Sequence, residues 1–258
     1  MRIFTTIIMV LLFTAVSYGQ KTFGKNNGGP VLLINISYAY QIPAGDLVDR
    51  FGNNFNVGGG VDFMTRNNFI FGVQSYYLFG NEVKTNLVQD LTRPLSSGLP
   101  VVYGNAGVGE PSDFQTKERG YYLGAHIGKL FSIGKDNPRS GLRVTVGAGY
   151  LQHKIRVQDD PQSFAPILGG DYKQGWDKLA GGLAFTEFIG YQLMSKNRRI
   201  NLSFGLELTQ GLTKNRRDYD FQTRTENSKD TRNDQLIGFR FNWSLPLFFE
   251  GEAPEVFY

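Results

Sequence analysis

Ile200-Asn201-Leu202-Ser203-Phe204-Gly205-Leu206-Glu207-Leu208-Thr209-Gln210 alternates apolar and polar residues. A period of two puts Ile200, Leu202, Phe204, Leu206 and Leu208 on one face of a β-strand, with Asn201, Ser203, Gly205 and Glu207 on the other. Six further stretches alternate in the same way: 31–41, 55–65, 69–79, 120–132, 141–155 and 235–248. An eighth, 183–194, aligns Leu183, Phe185, Ile189 and Tyr191 on its apolar face, but Glu187 falls among them. Two arrangements fit: Glu187 sits near a rim, or a β-bulge turns the register there. No helical period competes with these patterns.

Composition agrees with the alternation. The chain has 258 residues, with 32 Gly, 21 Phe, 13 Tyr and no Cys. Charged residues make up only 19%, below the roughly 25% of an ordinary soluble domain. Mean hydropathy is −0.27, and no long series of apolar runs of about 20 residues exists to make a helical membrane protein. The lack of cysteine excludes disulfides, thiol catalysis and cysteine-based zinc sites. A net charge of +4 is too mild to point to nucleic acid, and none is expected as a partner.

Residues 1–19 read as a cleaved export signal. Arg2 is the basic start, Ile3 to Val16 the apolar segment, and Ser17-Tyr18-Gly19 the small-residue cleavage site. Residues 20–30 form a Gly/Asn-rich periplasmic lead-in, 31–249 the barrel and 250–258 a periplasmic tail.

Eight strands of about 11 residues are long enough for tilted crossings of an outer membrane. The expected fold is all-β: a closed eight-stranded antiparallel transmembrane barrel, without an exposed edge. Connections alternate strictly in length. Those at 66–68, 133–140 and 195–199 are short; those at 42–54, 80–119, 156–182 and 211–234 are long. Short periplasmic turns and long extracellular loops are the outer-membrane pattern, which puts both termini in the periplasm. Tyr38, Tyr40, Tyr77, Phe79, Tyr121 and Tyr150 gather at the loop ends of the apolar faces. Phe63, Phe69, Phe131, Tyr191 and Phe248 gather at the turn ends, as two interfacial girdles would. A soluble lipocalin-like barrel fits less well, because the opposite face is rich in Gly, Asn, Ser, Asp and Arg.

That polar face carries Asp62, Arg143, Glu207 and Arg240. An eight-stranded barrel is only wide enough to be filled by side chains, and a buried charge needs a partner. The four are expected to form a salt-bridge network that plugs the lumen, and no steady conductance is expected.

Catalytic chemistry is thinly represented. His126 lies mid-barrel on the inner face. His153 lies at the loop end of its strand, with Leu151 and Ile155 rather than a serine at i±2. No catalytic, cofactor-binding or metal-binding residue is assigned. Asp159-Asp160 and Gly169-Gly170-Asp171 read as solvated acidic loops rather than a calcium site. The loop 211–234 mixes six bases with five acids, a composition that is solvated or meets lipopolysaccharide phosphates at the outer rim. The tail ends in Pro254-Glu255-Val256-Phe257-Tyr258, and Pro254, Val256, Phe257 and Tyr258 are candidate contacts for a partner.

Gly238-x-x-Phe241-x-Trp243 in the last strand resembles the glycine-plus-aromatic signal read by the outer-membrane assembly machinery, though a tail follows it. With eight strands and alternating loop lengths, the chain resembles the OmpA/OmpX-like barrels. More narrowly, Gly149-Tyr150-Leu151-Gln152-His153-Lys154-Ile155, Gly175-Trp176-Asp177-Lys178-Leu179, Ile189-Gly190-Tyr191-Gln192 and Asn197-Arg198-Arg199-Ile200-Asn201 look like small barrels of the Bacteroidota, some of which accompany the type IX secretion machinery. The resemblance implies an integral outer-membrane protein, non-enzymatic, that anchors or assists a larger envelope assembly. Its partners would be outer-membrane lipid and lipopolysaccharide, the assembly machinery, and periplasmic or outer-membrane proteins. A narrow pore, an adhesion or ligand-binding barrel, and a lipid-modifying enzyme are the alternatives.

Overall fold

The computed structural model describes residues 29–85, 87, 93–94, 100–103, 109–111, 115–133, 137–158, 170–195 and 201–248. The export signal, nearly all of the lead-in, and the tail with Pro254, Val256, Phe257 and Tyr258 lie outside the described residues.

Eight long strands build the molecule: β1 Val31–Gly45, β2 Asn54–Met64, β3 Phe69–Gly80, β4 Gln115–Ser132, β5 Gly141–Gln158, β6 Ala180–Met194, β7 Asn201–Asn215 and β8 Arg232–Phe248. Each pairs antiparallel with its neighbours in sequence. β1 pairs with β8, from Val31↔Phe248 to Gly45↔Asp234, and so closes the ring. Closure leaves no row of unpaired backbone groups, the condition for a sheet in an apolar medium.

Several strands continue past the alternating stretches on the loop side. β4 starts at Gln115 rather than 120, β5 runs to Gln158, and β7 to Asn215. The backbone ladder continues there, but the outward positions carry Lys117, Arg119, Arg156 and Lys214, so the apolar half of the pattern is lost. The long connections also hold structure of their own. A small sheet joins 93–94, 100–103 and 109–111, a 3-10 turn spans Gly170–Gly175, and a short hairpin pairs 219–220 with 225–226.

The strand 180–194 alternates without interruption. Glu187 lies opposite Val146 on β5 and Leu208 on β7, with no bulge. It is not a rim residue either. Leu183 and Phe185, on its loop side, are themselves outward and exposed (50% and 44%). Glu187 stands about 13 Å along the strand from Leu183 and about 20 Å from Leu193. Among the described residues it is the one carboxylate on the outward apolar surface.

That surface is a continuous band. Ile36, Val57, Phe71, Leu123, Val146, Ile189, Leu206 and Phe239, one from each strand, are all more than two-fifths exposed. Aromatic rings cluster toward its loop side, where Tyr38 stacks on Phe55 and Phe55 on Phe79. Lys129, near the turn side, holds its ammonium 4.5 Å from the centre of the Phe69 ring. A soluble monomer does not carry a contiguous apolar surface of this extent.

Candidate functional site

The inward face is layered. Near the turns, Val31, Leu33, Met64, Ile70, Leu130 and Met194 form an apolar seal. Below it Arg139 closes the mouth: its Nη1 donates to the Thr65 carbonyl (2.7 Å) and Asn68 Oδ1 (2.8 Å), and its Nη2 to the Gly29 carbonyl. Asn68 adopts φ +64°, a left-handed conformation that asparagine tolerates. Near the loops, a second apolar cluster gathers Leu47, Phe51, Leu78, Leu151, Ile155, Trp176 and Leu236. Leu47 and Phe51 reach it because the β1–β2 connection folds inward across the mouth. There Arg50 Nη2 donates to Asn215 Oδ1 at 3.1 Å. Trp176 meets Phe221 edge-on, and Arg217 holds Asp177 through two bonds (2.9 and 2.6 Å). Each end of the interior therefore carries an apolar cluster beside hydrogen-bonded polar groups, which alternation on the outward face does not reveal.

Between the seals lies the polar layer. Asp62 accepts from Arg143 Nη2 (2.6 Å) and Asn35 Nδ2 (2.8 Å), and lies 2.9 Å from His126 Nε2. Arg143 Nη1 donates to Gln192 Oε1, and Ser244 Oγ to Asn35 Oδ1. The second centre is Glu207, which accepts from Arg240 Nη2 at 2.5 Å. Arg240 Nη1 donates to the Tyr76 hydroxyl, which donates on to Gln74 Oε1. The Arg240 guanidinium also lies 3.8 Å from the Tyr76 ring centre, and Tyr76 stacks on Tyr122. The structure thus places Asp62 with Arg143 and Glu207 with Arg240, all four at most 6% exposed. His126, Tyr76, Gln74 and Asn35 join them.

Glycine makes this layer fit. Asp62 and His126 face each other across Gly72, and Gly147 follows His126. Arg143, Gly190, Gly205 and Arg240 make a second inward row, and Gly238 lies beside Glu207. A bulky polar side chain has a glycine as cross-strand neighbour, so it can lie down across that strand toward the axis. The remaining cavity lined by both arginines is about 20 Å³, room for about one water.

His153 is buried at the loop end, where Nε2 lies 2.8 Å from Asp234 Oδ2. Thr213 Oγ1 donates to that same oxygen. The hydroxyl is bound to the acid rather than the imidazole, and Phe51 packs edge-on over the histidine ring. A nucleophile needs its base within hydrogen-bond reach; here the three side chains form a strut between β5, β7 and β8. Among the described residues no group of His, Asp or Glu is arranged to hold a metal ion.

Glu118 lies nearby on β4, on the loop side of Tyr121, where the outward apolar run of that strand begins. Burial pushes its carboxyl up to about 7, against the bond it accepts from Asn54 Nδ2. The folded state therefore holds a proton that the unfolded chain releases near 4.5. Stability is expected to fall as pH rises from about 4.5 to 7, at up to about 1.4 kcal/mol per pH unit. Glu118→Gln should flatten that slope in thermal melts taken between pH 5 and 8. An unchanged slope would refute the assignment.

No protein-family model matches the chain, and no curated protein is significantly similar to it. Solved structures do superpose on it. Neisserial surface protein A covers 82% of this chain and 96% of its own at 12% identity and a TM-score of 0.42. Ail of Yersinia pestis, in complex with the heparin analogue sucrose octasulfate, covers 84% and 99% at 11% identity and 0.37. The N-terminal β-barrel domain of Pseudomonas aeruginosa OprF covers 82% and 96% at 9% identity and 0.36. Superpositions this loose carry no residue and no role over to this chain.

Proposed function

We propose that this chain is an integral outer-membrane barrel with a filled lumen, acting as a non-enzymatic anchor or accessory subunit of a larger envelope assembly. The carrying observation is the pairing of an outward apolar band with an interior sealed at both ends around a paired polar layer. An apolar exterior on a closed ring suits lipid. A filled interior argues against the narrow pore, and the Thr213–Asp234–His153 arrangement argues against a lipid-modifying hydrolase. Both described chain ends lie at the short-turn end, which this reading places in the periplasm. Protein secretion is the assembly to which the sequence resemblance points.

Glu187 adds support for a protein neighbour. A carboxyl facing lipid well inside the band costs about 1–2 kcal/mol, a cost removed where a partner offers a hydrogen-bond donor or cation. The tagged chain, gently extracted from native membranes, is expected to carry partner proteins identifiable by mass spectrometry. Glu187→Leu should leave the barrel in the outer membrane and stabilise the isolated barrel, while weakening that retention. Removal of 250–258 should also weaken it. A wild-type chain that migrates alone, with neither change having an effect, would sink the accessory role. A lipid A profile altered by His153→Ala would favour the enzyme instead.

A further inference from the structure

Just beyond the Tyr77–Tyr121 girdle, on the outward face of β4 and β5, two successive cross-strand pairs join like charges. Lys117 is directly opposite Arg156, and Arg119 directly opposite Lys154. Like charges placed directly opposite in a sheet repel and destabilise it. Among the described ion pairs none of these four cations has a carboxylate partner. Among the described residues Arg119 donates to two backbone carbonyls, those of Glu118 at 2.6 Å and Gly80 at 3.4 Å. Arg119, Lys154 and Arg156, with Lys173 from the 3-10 turn and with Tyr77 and Tyr121, border a groove of about 500 Å³, and Lys117 stands beside it opposite Arg156. Among the described residues the one carboxylate in its wall, Asp177, is already held by Arg217.

We propose that this groove binds the phosphate groups of an outer-leaflet glycolipid. The inference rests on the outer-membrane reading, which sets the groove at the level of the headgroups. An anion between the paired cations turns a repulsive ladder into charge-assisted hydrogen bonds, and guanidinium groups suit phosphate in particular. Tyr77 and Tyr121, with the Tyr121 hydroxyl donating to Gln152 Oε1, present ring faces to the upper part of the acyl chains. A molecule with phosphates above and hydrocarbon below matches this order of surfaces.

The test uses the full mature chain in detergent and in nanodiscs. Bisphosphorylated lipid A should raise its melting temperature, and native mass spectrometry should retain the bound lipid. The dephosphorylated lipid should bind at least tenfold more weakly. The double variant Lys154→Glu, Arg156→Glu replaces both repulsive pairs by attractive ones. It should melt at or above the wild-type temperature without lipid, which shows that it folds, and lose at least tenfold in affinity for lipid A. Equal retention by variant and wild type would overturn the proposal. So would stabilisation by inorganic pyrophosphate equal to that by the lipid, which would mark a site for soluble phosphate. Density fractionation separates the two layers of inference: a wild-type chain absent from the outer-membrane fraction refutes the location, whereas a correctly located chain indifferent to phosphate refutes only this site.

Discussion

Arg240→Ala is expected to destabilise the barrel by about 3–5 kcal/mol, the range for breaking a buried pair from one side. The substitution strips Glu207 of its guanidinium and leaves a carboxylate, 2% exposed, in the middle of the lumen. It also removes the donor to the Tyr76 hydroxyl and the cation over the Tyr76 ring, so the chain of bonds through Gln74 loses its anchor. The measurement is the urea or temperature midpoint of the refolded barrel in lipid. A double replacement, Arg240→Met with Glu207→Leu, removes both charges and keeps the volume. It should recover most of the loss, because the cost lies in the orphaned charge rather than in the missing attraction. If the single and double variants lost equally, the pairing would not be what stabilises this layer.

Gly72→Ala is expected to cost about 2–4 kcal/mol, although a glycine in a strand is normally a weakness. Asp62 and His126 lie on the strands to either side of Gly72 and meet over it. A methyl group there would come within 2.7 Å of the His126 ring and would also overlap Asp62 Oδ1. Asp62 cannot readily retreat, since its other oxygen is fixed by Arg143 and Asn35. The check is a double-mutant cycle: in an Asp62→Ala background the same Gly72→Ala change should cost well under half as much. Equal costs in both backgrounds would show that Gly72 acts on the backbone alone.

These effects bear on how much the sequence disclosed. Alternation is a property of one strand, and it identified all eight, because the outward face is apolar at nearly every second position. It also put Asp62, Arg143, Glu207 and Arg240 on one face. Which acid meets which base depends on stagger around the ring, and no single strand encodes that. Alternation puts Gln74 and Asn35 on that same face, whereas Tyr76 is hidden: a tyrosine beside a tyrosine, as at Tyr76-Tyr77, reads as girdle until the register assigns one inward. Arg139 lay in a turn, and nothing in Asn137-Pro138-Arg139-Ser140 announces three acceptors gathered from Thr65, Asn68 and Gly29. The opposed cations of β4 and β5 escaped for the opposite reason. Where Lys117, Arg119 and Arg156 replace apolar residues, the period vanishes and the segments read as loop, though the ladder runs on. The two arrangements left open at Glu187 had their source in the rule itself, since an outward carboxylate breaks the pattern without breaking the strand.

The central claim is a membrane-spanning barrel with a filled, sealed lumen, and single-channel recording of the purified wild-type chain in planar bilayers tests it most directly. Successful insertion, verified by protection of the strands from protease in the same preparation, should be accompanied by no stable conductance steps, since the polar layer leaves a cavity of only about 20 Å³. Large, long-lived open states of the inserted wild-type protein would contradict it.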